Sequence, residues 1–225
     1  MTFDGAEPRF AVLAGASGLV GSHCLRLFLE SVDYRQVIAL VRRPLGIQHP
    51  KLRQIEVDFQ HLPVLPEYSG ADVFCALGTT MRQAGSREAF RKVDFDAGLA
   101  YATATAQAGA RQFLLVSSIG ASAHSSTFYL QVKGELEDAV QSLPFRSIHI
   151  FRPGFLVGDR SPDRPVERIG ITVAKALDFA FIGKFKKYSA VEADDLAAAM
   201  HAAARNAEAG VHFYEYEQIL SSVKR

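Results

Sequence analysis

Three side chains in the second half of the chain have the types and the spacing of a proton-transfer site. Tyr129 and Lys133 lie four residues apart, and Ser118 comes eleven residues before the tyrosine. On a helix, residues i and i+4 share one face, so the lysine ammonium would lie beside the phenol and stabilise its phenolate form. Such a pair suits general acid–base chemistry, with a serine hydroxyl to hold a substrate oxygen. The alternative is a half-buried aromatic ring covered by a lysine stem, which is common on helices.

Three glycines near the start of the chain are spaced to bind a dinucleotide. Gly15, Gly18 and Gly21 follow an apolar run, Phe10–Ala14, and precede a helical pattern. Gly15 would make the bend, Gly18 would let backbone approach a pyrophosphate, and Gly21 would let the helix lie on the sheet. The phosphates would then lie at the helix N-terminus, where free amide groups favour negative charge. Glycines at this spacing also occur in ordinary turns.

Two arginines at the end of the second predicted strand bear on which dinucleotide is bound. Arg42 and Arg43 come directly after Val37–Val41, about 20 residues beyond the glycines, where the ribose of the cofactor is read. An acidic residue there binds the 2′-hydroxyl of NAD, whereas a 2′-phosphate requires a cation. Guanidinium groups bind phosphate in a planar fork, so we expect NADP(H) rather than NAD(H). The alternative is a pair of exposed arginines in the loop before Pro44.

The ends of the next two predicted strands supply further candidate contacts with the cofactor. Asp58 ends the third strand and is expected at the edge of the adenine ring. Leu77, Gly78 and Thr79 end the fourth strand, where glycine backbone would approach the ribose and the pyrophosphate, although a tight surface turn is the competing explanation. The complete set of expected cofactor contacts is Gly15, Ser17, Gly18, Leu19, Val20, Arg42, Arg43, Asp58, Phe59, Leu77, Gly78, Thr79, Tyr129, Lys133 and Pro153.

Short apolar and β-branched runs alternate with longer helical patterns and predict the scaffold that positions these groups. Strand–helix–strand order with right-handed crossovers gives an α/β fold, a doubly wound parallel sheet whose ligands bind outside the carboxyl ends of the strands. The predicted strands are Phe10–Ala14, Val37–Val41, Gln54–Asp58, Asp72–Leu77, Phe113–Ser117 and Ser147–Phe151. The clearest predicted helices are Leu19–Ser31, Ser86–Gly109 and Thr127–Leu143.

The alternation of strands and helices lapses after about residue 158, where prolines and charged residues take over. We therefore predict a dinucleotide-binding domain over residues 1–158 and a small C-terminal lobe over residues 159–225 that is integrated with it and covers the substrate. Helical patterns in the lobe span Ile169–Phe181 and Asp194–Ala207. An apolar pocket wall, or simply core, is expected from the phenylalanines Phe155, Phe179, Phe181 and Phe185.

The composition excludes several classes of protein. A chain of 225 residues with 48% hydrophobic residues buries a full core, and its net charge of +1 and short basic runs disfavour a nucleic-acid surface. No apolar run is long enough to span a membrane, the acidic N-terminus does not resemble a leader, and the histidines lack the spacing of metal ligands. Cys24 and Cys75 lack partners of the CxxC type. We therefore expect a cytoplasmic protein without a metal, acting on a small molecule.

Together, the motifs resemble those of the short-chain dehydrogenase/reductases, in the extended or atypical branch. The likeness covers most of the chain and includes the three glycines, the serine pair Ser117–Ser118 and the helix from Tyr129 to Lys133. The segments Phe74–Thr80, Phe128–Glu135 and Phe151–Gly154 are most similar to the Tat-interacting-protein oxidoreductase group and its bacterial relatives.

The resemblance implies a Rossmann domain that binds NADP(H), with Ser118, Tyr129 and Lys133 as the catalytic residues and Pro153 beside the nicotinamide. Which of Ser117 and Ser118 acts stays open. The expected activity is the transfer of a hydride to or from a carbonyl or alcohol substrate.

Two other functions remain open at this stage. A regulatory protein could report the NADPH/NADP ratio to a protein partner, although a pure sensor does not need the serine, tyrosine and lysine in register. Sugar-nucleotide epimerases and dehydratases are also related, but they carry a larger C-terminal domain than the roughly 65 residues that follow Gly158 here. A homodimer is possible through the alanine-rich face of Ala97–Ala108, which could equally lie against the sheet.

Overall fold

A computed structural model describes residues 9–158, 189–206 and 208–223. Seven of its strands form one parallel sheet in the order β3-β2-β1-β4-β5-β6-β9. The strands are β1 Arg9–Ala14, β2 Tyr34–Val41, β3 Leu52–Glu56, β4 Asp72–Cys75, β5 Gln112–Val116, β6 Ser147–Phe151 and β9 Gly210–Tyr214, and a separate parallel pair is formed by β7 Leu156–Val157 and β8 Val191–Glu192. The strand order reverses at β1, with β2 and β3 on one side of it and β4, β5 and β6 on the other. In sheets of this kind, ligands bind in the crevice at this point, outside the carboxyl ends of β1 and β4.

Helices cover both faces of the sheet, so the predicted doubly wound α/β fold is confirmed. They are α1 Leu19–Glu30, α2 Met81–Ala84, α3 Arg87–Arg91, α4 Ala97–Gln107, α5 Phe128–Gln141, α6 Ala193–Asn206 and α7 Tyr216–Val223. Successive strand residues point to opposite faces. Thus Ala11 and Leu13 pack in the core with α1 and α6, whereas Val12 and Ala14 pack in the second core with α4 and α5.

The structure differs from the sequence predictions at the long helix and at the end of the chain. The predicted helix Ser86–Gly109 is divided into α3, a π-helical turn at Lys92–Asp96 and α4. The edge strand β9 was not predicted, because its exposed, alternating residues give a weak local signal. The division of the chain at residue 158 stays a prediction, since residues 159–188 lie outside the described part. Two later elements pack on residues 9–158: α6 lies on α1, and β9 pairs with β6.

A histidine pair on β6 and β9 should make stability depend on pH. His149 is buried, stacks on His212 with ring centroids 5.0 Å apart, and has its Nδ1 3.0 Å from the Tyr214 hydroxyl. Burial, and then the charge of His212, lower the pKa of His149 from 6.5 to about 4. In the unfolded chain His149 is protonated below pH 6.5, whereas in the folded chain it stays neutral until about pH 4. Acidification across this window therefore lowers the stability of the fold.

We expect the free energy of unfolding to fall by about 2 kcal/mol between pH 6.5 and about pH 5 through this histidine alone. Urea unfolding at several pH values measures the slope, and His149→Gln should flatten it. His124→Gln, at an exposed site, is the matched control. Equal slopes in the His149→Gln variant and the wild type would contradict the assignment.

Candidate active site

Sequence-predicted residues follow the carboxyl ends of four adjacent strands. Gly15 follows β1, Gly78 follows β4, Ser118 follows β5 and Pro153 follows β6, and these four strands are neighbours in the sheet. The carboxyl ends of parallel strands lie at one edge of the sheet, so these segments border a single crevice. The structure therefore brings together residues that are up to 138 positions apart.

The glycine turn after β1 is closed by backbone contacts that leave no room for side chains. Gly15 has φ +89°, and a Cβ there would lie 2.4 Å from the carbonyl oxygen of Ala76. A Cβ at Gly21 would lie 2.0 Å from the carbonyl oxygen of Gly15, and one at Gly18 would lie 3.2 Å from the same atom. The Gly18 amide donates to that oxygen at 2.9 Å. The turn has the geometry that a pyrophosphate cradle requires.

Helix α1 presents its N-terminus at this turn. Gly18 is the N-cap, no side chain in the described ranges caps the helix, and the first turn carries no acidic residue. These amides therefore keep the donor capacity that anions bind. Of the other predicted contacts here, Ser17 is exposed and Leu19 is half-buried, whereas the Val20 side chain lies in the core. Val20 can offer a ligand only its backbone.

The residues expected to contact the adenosine end of the cofactor lie after β2 and β3. Arg42 and Arg43 are exposed and follow Val41, the last residue of β2. Asp58 is also exposed; its carboxylate accepts from the Gln60 amide at 2.9 Å and contacts His61 Nδ1 at 3.0 Å, and the hydrogen bond from His61 lowers its pKa. Phe59 is buried in the core beside α4, so its ring serves packing.

The face of α5 that was predicted to carry the chemistry presents a phenol, an ammonium and a carboxylate on successive turns. Tyr129 is half-buried, while Lys133 and Glu137 are buried. Lys133 Nζ lies 2.8 Å from Oδ1 of Asp94. Burial by itself lowers the pKa of Lys133, but the negative charges of Asp94 and Tyr129 outweigh it, and the pKa is raised above 10.5. The ammonium is therefore charged throughout the neutral range.

The two candidate serines have different surroundings. Ser117 is buried, and its hydroxyl donates to Glu137 Oε1. The same carboxylate accepts from Arg152 Nε, 3.1 Å from each oxygen, and also from Arg152 Nη2. Among the described residues, the Ser118 hydroxyl makes only a long contact of 3.4 Å with the Ile119 carbonyl oxygen. Ser118 is therefore the hydroxyl with donor capacity to spare.

Close backbone packing holds α5 against the loop that carries the serines. A Cβ at Gly134 would lie 2.1 Å from the carbonyl carbon of Ser122, and the Ser122 amide donates to the Leu130 carbonyl oxygen at 3.2 Å. The next strand end is joined to the same loop, because the Ile119 amide donates to the carbonyl oxygen of Pro153 at 2.9 Å. Pro153 itself is buried.

Several residues of the site were missed by the sequence predictions. Asp94, Glu137 and Arg152 supply the charged contacts, and the Phe90 ring packs on Tyr129 with centroids 5.6 Å apart. Glu137 could have been found, since it continues the i, i+4 series of Tyr129 and Lys133. Of the predicted apolar wall, Phe155 is 59% exposed, and Phe179, Phe181 and Phe185 lie outside the described residues.

Comparison with known proteins identifies relatives. A family model described as NAD(P)H-binding matches residues 15–207. The protein FMP52-1, mitochondrial, of Scheffersomyces stipitis is 33% identical over 223 residues, which cover 96% of this chain and 99% of that protein. The protein HTATIP2 of Rattus norvegicus is 41% identical over 160 residues, which cover 69% of this chain and 66% of that protein.

A solved structure shows the same fold. MoeE5 in complex with UDP-glucose and NAD superimposes with a TM-score of 0.68 at 17% identity, covering 95% of this chain and 81% of MoeE5. Within the described ranges, no helix combines the length and hydropathy that crossing a bilayer requires.

The expected cytoplasmic location is wrong, because FMP52-1 and further FMP52 relatives are named as mitochondrial proteins. The expectation relied partly on unpaired cysteines. Cys24 and Cys75 are free and buried, and burial raises the pKa of their thiols to about 12 and about 11. Buried, inert thiols do not distinguish one reducing compartment from another.

The glycine turn, the order of the strands and the relatives all indicate a protein of the NAD(P)H-binding type. The family model covers most of the chain, and the likeness to FMP52-1 runs along nearly its whole length. This chain belongs to the NAD(P)H-binding family, in the branch with HTATIP2 and FMP52, as its resemblance to the extended short-chain dehydrogenase/reductases implied.

Proposed function

We propose that this protein is an NADP(H)-dependent oxidoreductase that acts on a carbonyl or alcohol substrate. The observation that carries the proposal is the buried Lys133 ammonium one helical turn from Tyr129. It is supported by the glycine turn and Ser118, which follow strands at the same end of the sheet. A cation held beside a phenol equips Tyr129 to exchange a proton with the substrate oxygen.

The residues divide the work as follows. Tyr129 donates a proton to the oxygen when a carbonyl is reduced and removes it when an alcohol is oxidised. Lys133 stabilises the negative charge that the phenol oxygen acquires, and Ser118 donates a hydrogen bond that orients the substrate oxygen. When bound, NADP(H) supplies or accepts the hydride.

The cofactor would be held along the edge of the sheet. The backbone of Gly15, Ser17, Gly18, Leu19 and Val20 would bind the pyrophosphate, and Lys133 would donate to a ribose hydroxyl. The segment Leu77–Thr79 would border the ribose, Asp58 and the backbone of Phe59 would border the adenine, and Pro153 would border the nicotinamide. We also propose that the C-terminal lobe covers the substrate.

The function is tested by measuring the absorbance of reduced nicotinamide while the purified chain is offered panels of small aldehydes, ketones and alcohols. We expect cofactor-dependent turnover of at least one class. The alternative, a regulatory protein, would be supported by two results together. These are an absence of turnover and the capture of a protein partner whose affinity for this chain differs between the NADPH-bound and NADP-bound forms.

The preference for NADP(H) is a separate prediction. Replacing both Arg42 and Arg43 by alanine should weaken NADPH binding by about 10- to 100-fold, because charge-assisted hydrogen bonds to the 2′-phosphate are lost. NADH binding should be unchanged, since its ribose carries no phosphate. Calorimetric titration of both cofactors measures this. Arg53→Ala, an exposed arginine paired with Glu67, is the control, and an equal loss for NADPH and NADH would contradict the assignment.

A further inference from the structure

Asp94 is a buried carboxylate that touches two parts of the proposed site. Its side chain is fully buried. Oδ1 lies 2.8 Å from Lys133 Nζ, and Oδ2 accepts from the Thr79 amide at 2.8 Å. One oxygen thus contacts the ammonium on α5, and the other contacts the loop after β4 that is expected to border the cofactor.

The local backbone places Asp94 in this position. It lies in the π-helical turn Lys92–Asp96, between α3 and α4. A π turn inserts an extra residue into a helix and changes the direction of the side chains that follow, and such turns are frequent at functional sites. Gly78 lies directly beside this carboxylate, since a Cβ there would lie 3.4 Å from Asp94 Oδ1 and 3.5 Å from Lys133 Nζ. The absence of a side chain at Gly78 leaves space beside the ion pair.

An isolated ammonium is costly to bury, whereas a paired one is tolerated. The charged or titratable groups that act on Lys133 are Asp94, Tyr129 and the Cys75 thiol, and Asp94 is the one in ion-pair contact. Lys133 has three N–H donors. The ion pair with Asp94 engages at most one of them, which leaves at least two for the phenol and for a ligand.

We propose that Asp94 is a positioning residue, which holds Lys133 charged and aimed into the crevice and ties it to the loop at Thr79. The proposal rests on the proposed function in that Lys133 is taken to bind the cofactor. It adds that a ligand can use Lys133 fully only while Lys133 is paired with the Asp94 carboxylate.

The test compares Asp94→Asn with Asp96→Asn. Asparagine keeps the size of the side chain and an acceptor for the Thr79 amide, but it removes the charge. Asp96 is an exposed carboxylate in the same turn and provides the matched control. Two measurements are made on each variant: the NMR titration of the Lys133 side chain in the cofactor-free protein, and the affinity for NADPH by calorimetry.

In Asp94→Asn we expect the Lys133 titration to move down by about one pH unit or more, because burial is then unopposed by the carboxylate. NADPH binding should weaken by about tenfold or more, and Asp96→Asn should match the wild type in both measurements. The proposal is overturned if Lys133 titrates as in the wild type, or if Asp94→Asn binds NADPH as tightly as the control does.

A loss of the fold in Asp94→Asn is also informative. The double variant Asp94→Asn/Lys133→Met removes both charges and should then be more stable than Asp94→Asn alone. Equal instability of the two would contradict the pairing. Failure of the proposed function is distinguishable, since it appears as a lack of NADPH binding or turnover in the wild type, whereas the Lys133 titration needs neither.

Discussion

Replacing Tyr129 by phenylalanine should lower turnover by about 10²- to 10⁴-fold, which is the usual contribution of a positioned acid–base group. The change removes one oxygen and leaves the ring, which packs on Phe90 with centroids 5.6 Å apart. The glycine turn and Lys133 are untouched, so NADPH affinity should change little. Steady-state kinetics and calorimetry on the same preparations separate the two effects.

Tyr68→Phe is the matched control for this experiment. Tyr68 is buried near the start of β4, and its hydroxyl has no hydrogen-bond partner among the described residues. Its removal should leave turnover and affinity unchanged. Full turnover of Tyr129→Phe with normal NADPH binding would mean that another group moves the proton, and the proposed role of the helix α5 would fail.

Replacing Asp72 by alanine should lower the free energy of unfolding by about 3–5 kcal/mol, the usual cost of removing one partner from a buried charged cluster. Asp72 is the first residue of the central strand β4 and is fully buried. It therefore lies at the amino ends of the strands, opposite to the carboxyl ends that carry the candidate site. Its oxygens bind Arg9 at 2.9 Å and Arg111 at 2.8 Å, and they accept from the Tyr34 hydroxyl at 3.1 Å and from Gln112 at 2.6 Å.

The Asp72 cluster also joins the sheet to α6. Arg9, Arg111 and Gln112 each donate to the Ala204 carbonyl oxygen near the end of that helix, at 2.9, 3.4 and 2.9 Å. Urea denaturation measures the predicted loss, and Asp138→Ala, an exposed carboxylate on α5, provides the control. NADPH affinity of the folded Asp72→Ala protein should stay normal. A loss no larger than that of the control would show that the cluster contributes little to stability.

Much of the scaffold could be predicted because its signals are local. The apolar run of β1, the glycines after it and the helical pattern of α1 lie within about 20 residues of one another, as the dinucleotide-binding pattern requires. The predicted strand starting at Asp72 is observed two residues shorter, over Asp72–Cys75, and the predicted Gln54–Asp58 is observed as Leu52–Glu56. Ends of elements are set by the contacts of the last residues, which a local pattern does not record.

The candidate site was predicted in part for the same reason. Tyr129 and Lys133 share a face of α5 because of helical geometry alone, and strand order places Gly15, Gly78 and Ser118 at one edge of the sheet. The π turn that carries Asp94 left no signal in the sequence, since its residues are compatible with an ordinary helix.

The order of strands and helices, the glycine turn and the spacing on α5 were therefore predictable from the residues alone, because these features depend on neighbouring residues. The folded structure was needed to show that Ser117 rather than Ser118 contacts Glu137, that Asp94 pairs with Lys133 and that Arg9 pairs with Asp72. Adjacent residues of an extended segment point to opposite sides. The partners in these three pairings lie 20 to 63 positions away along the chain, so they are known only after the chain has folded.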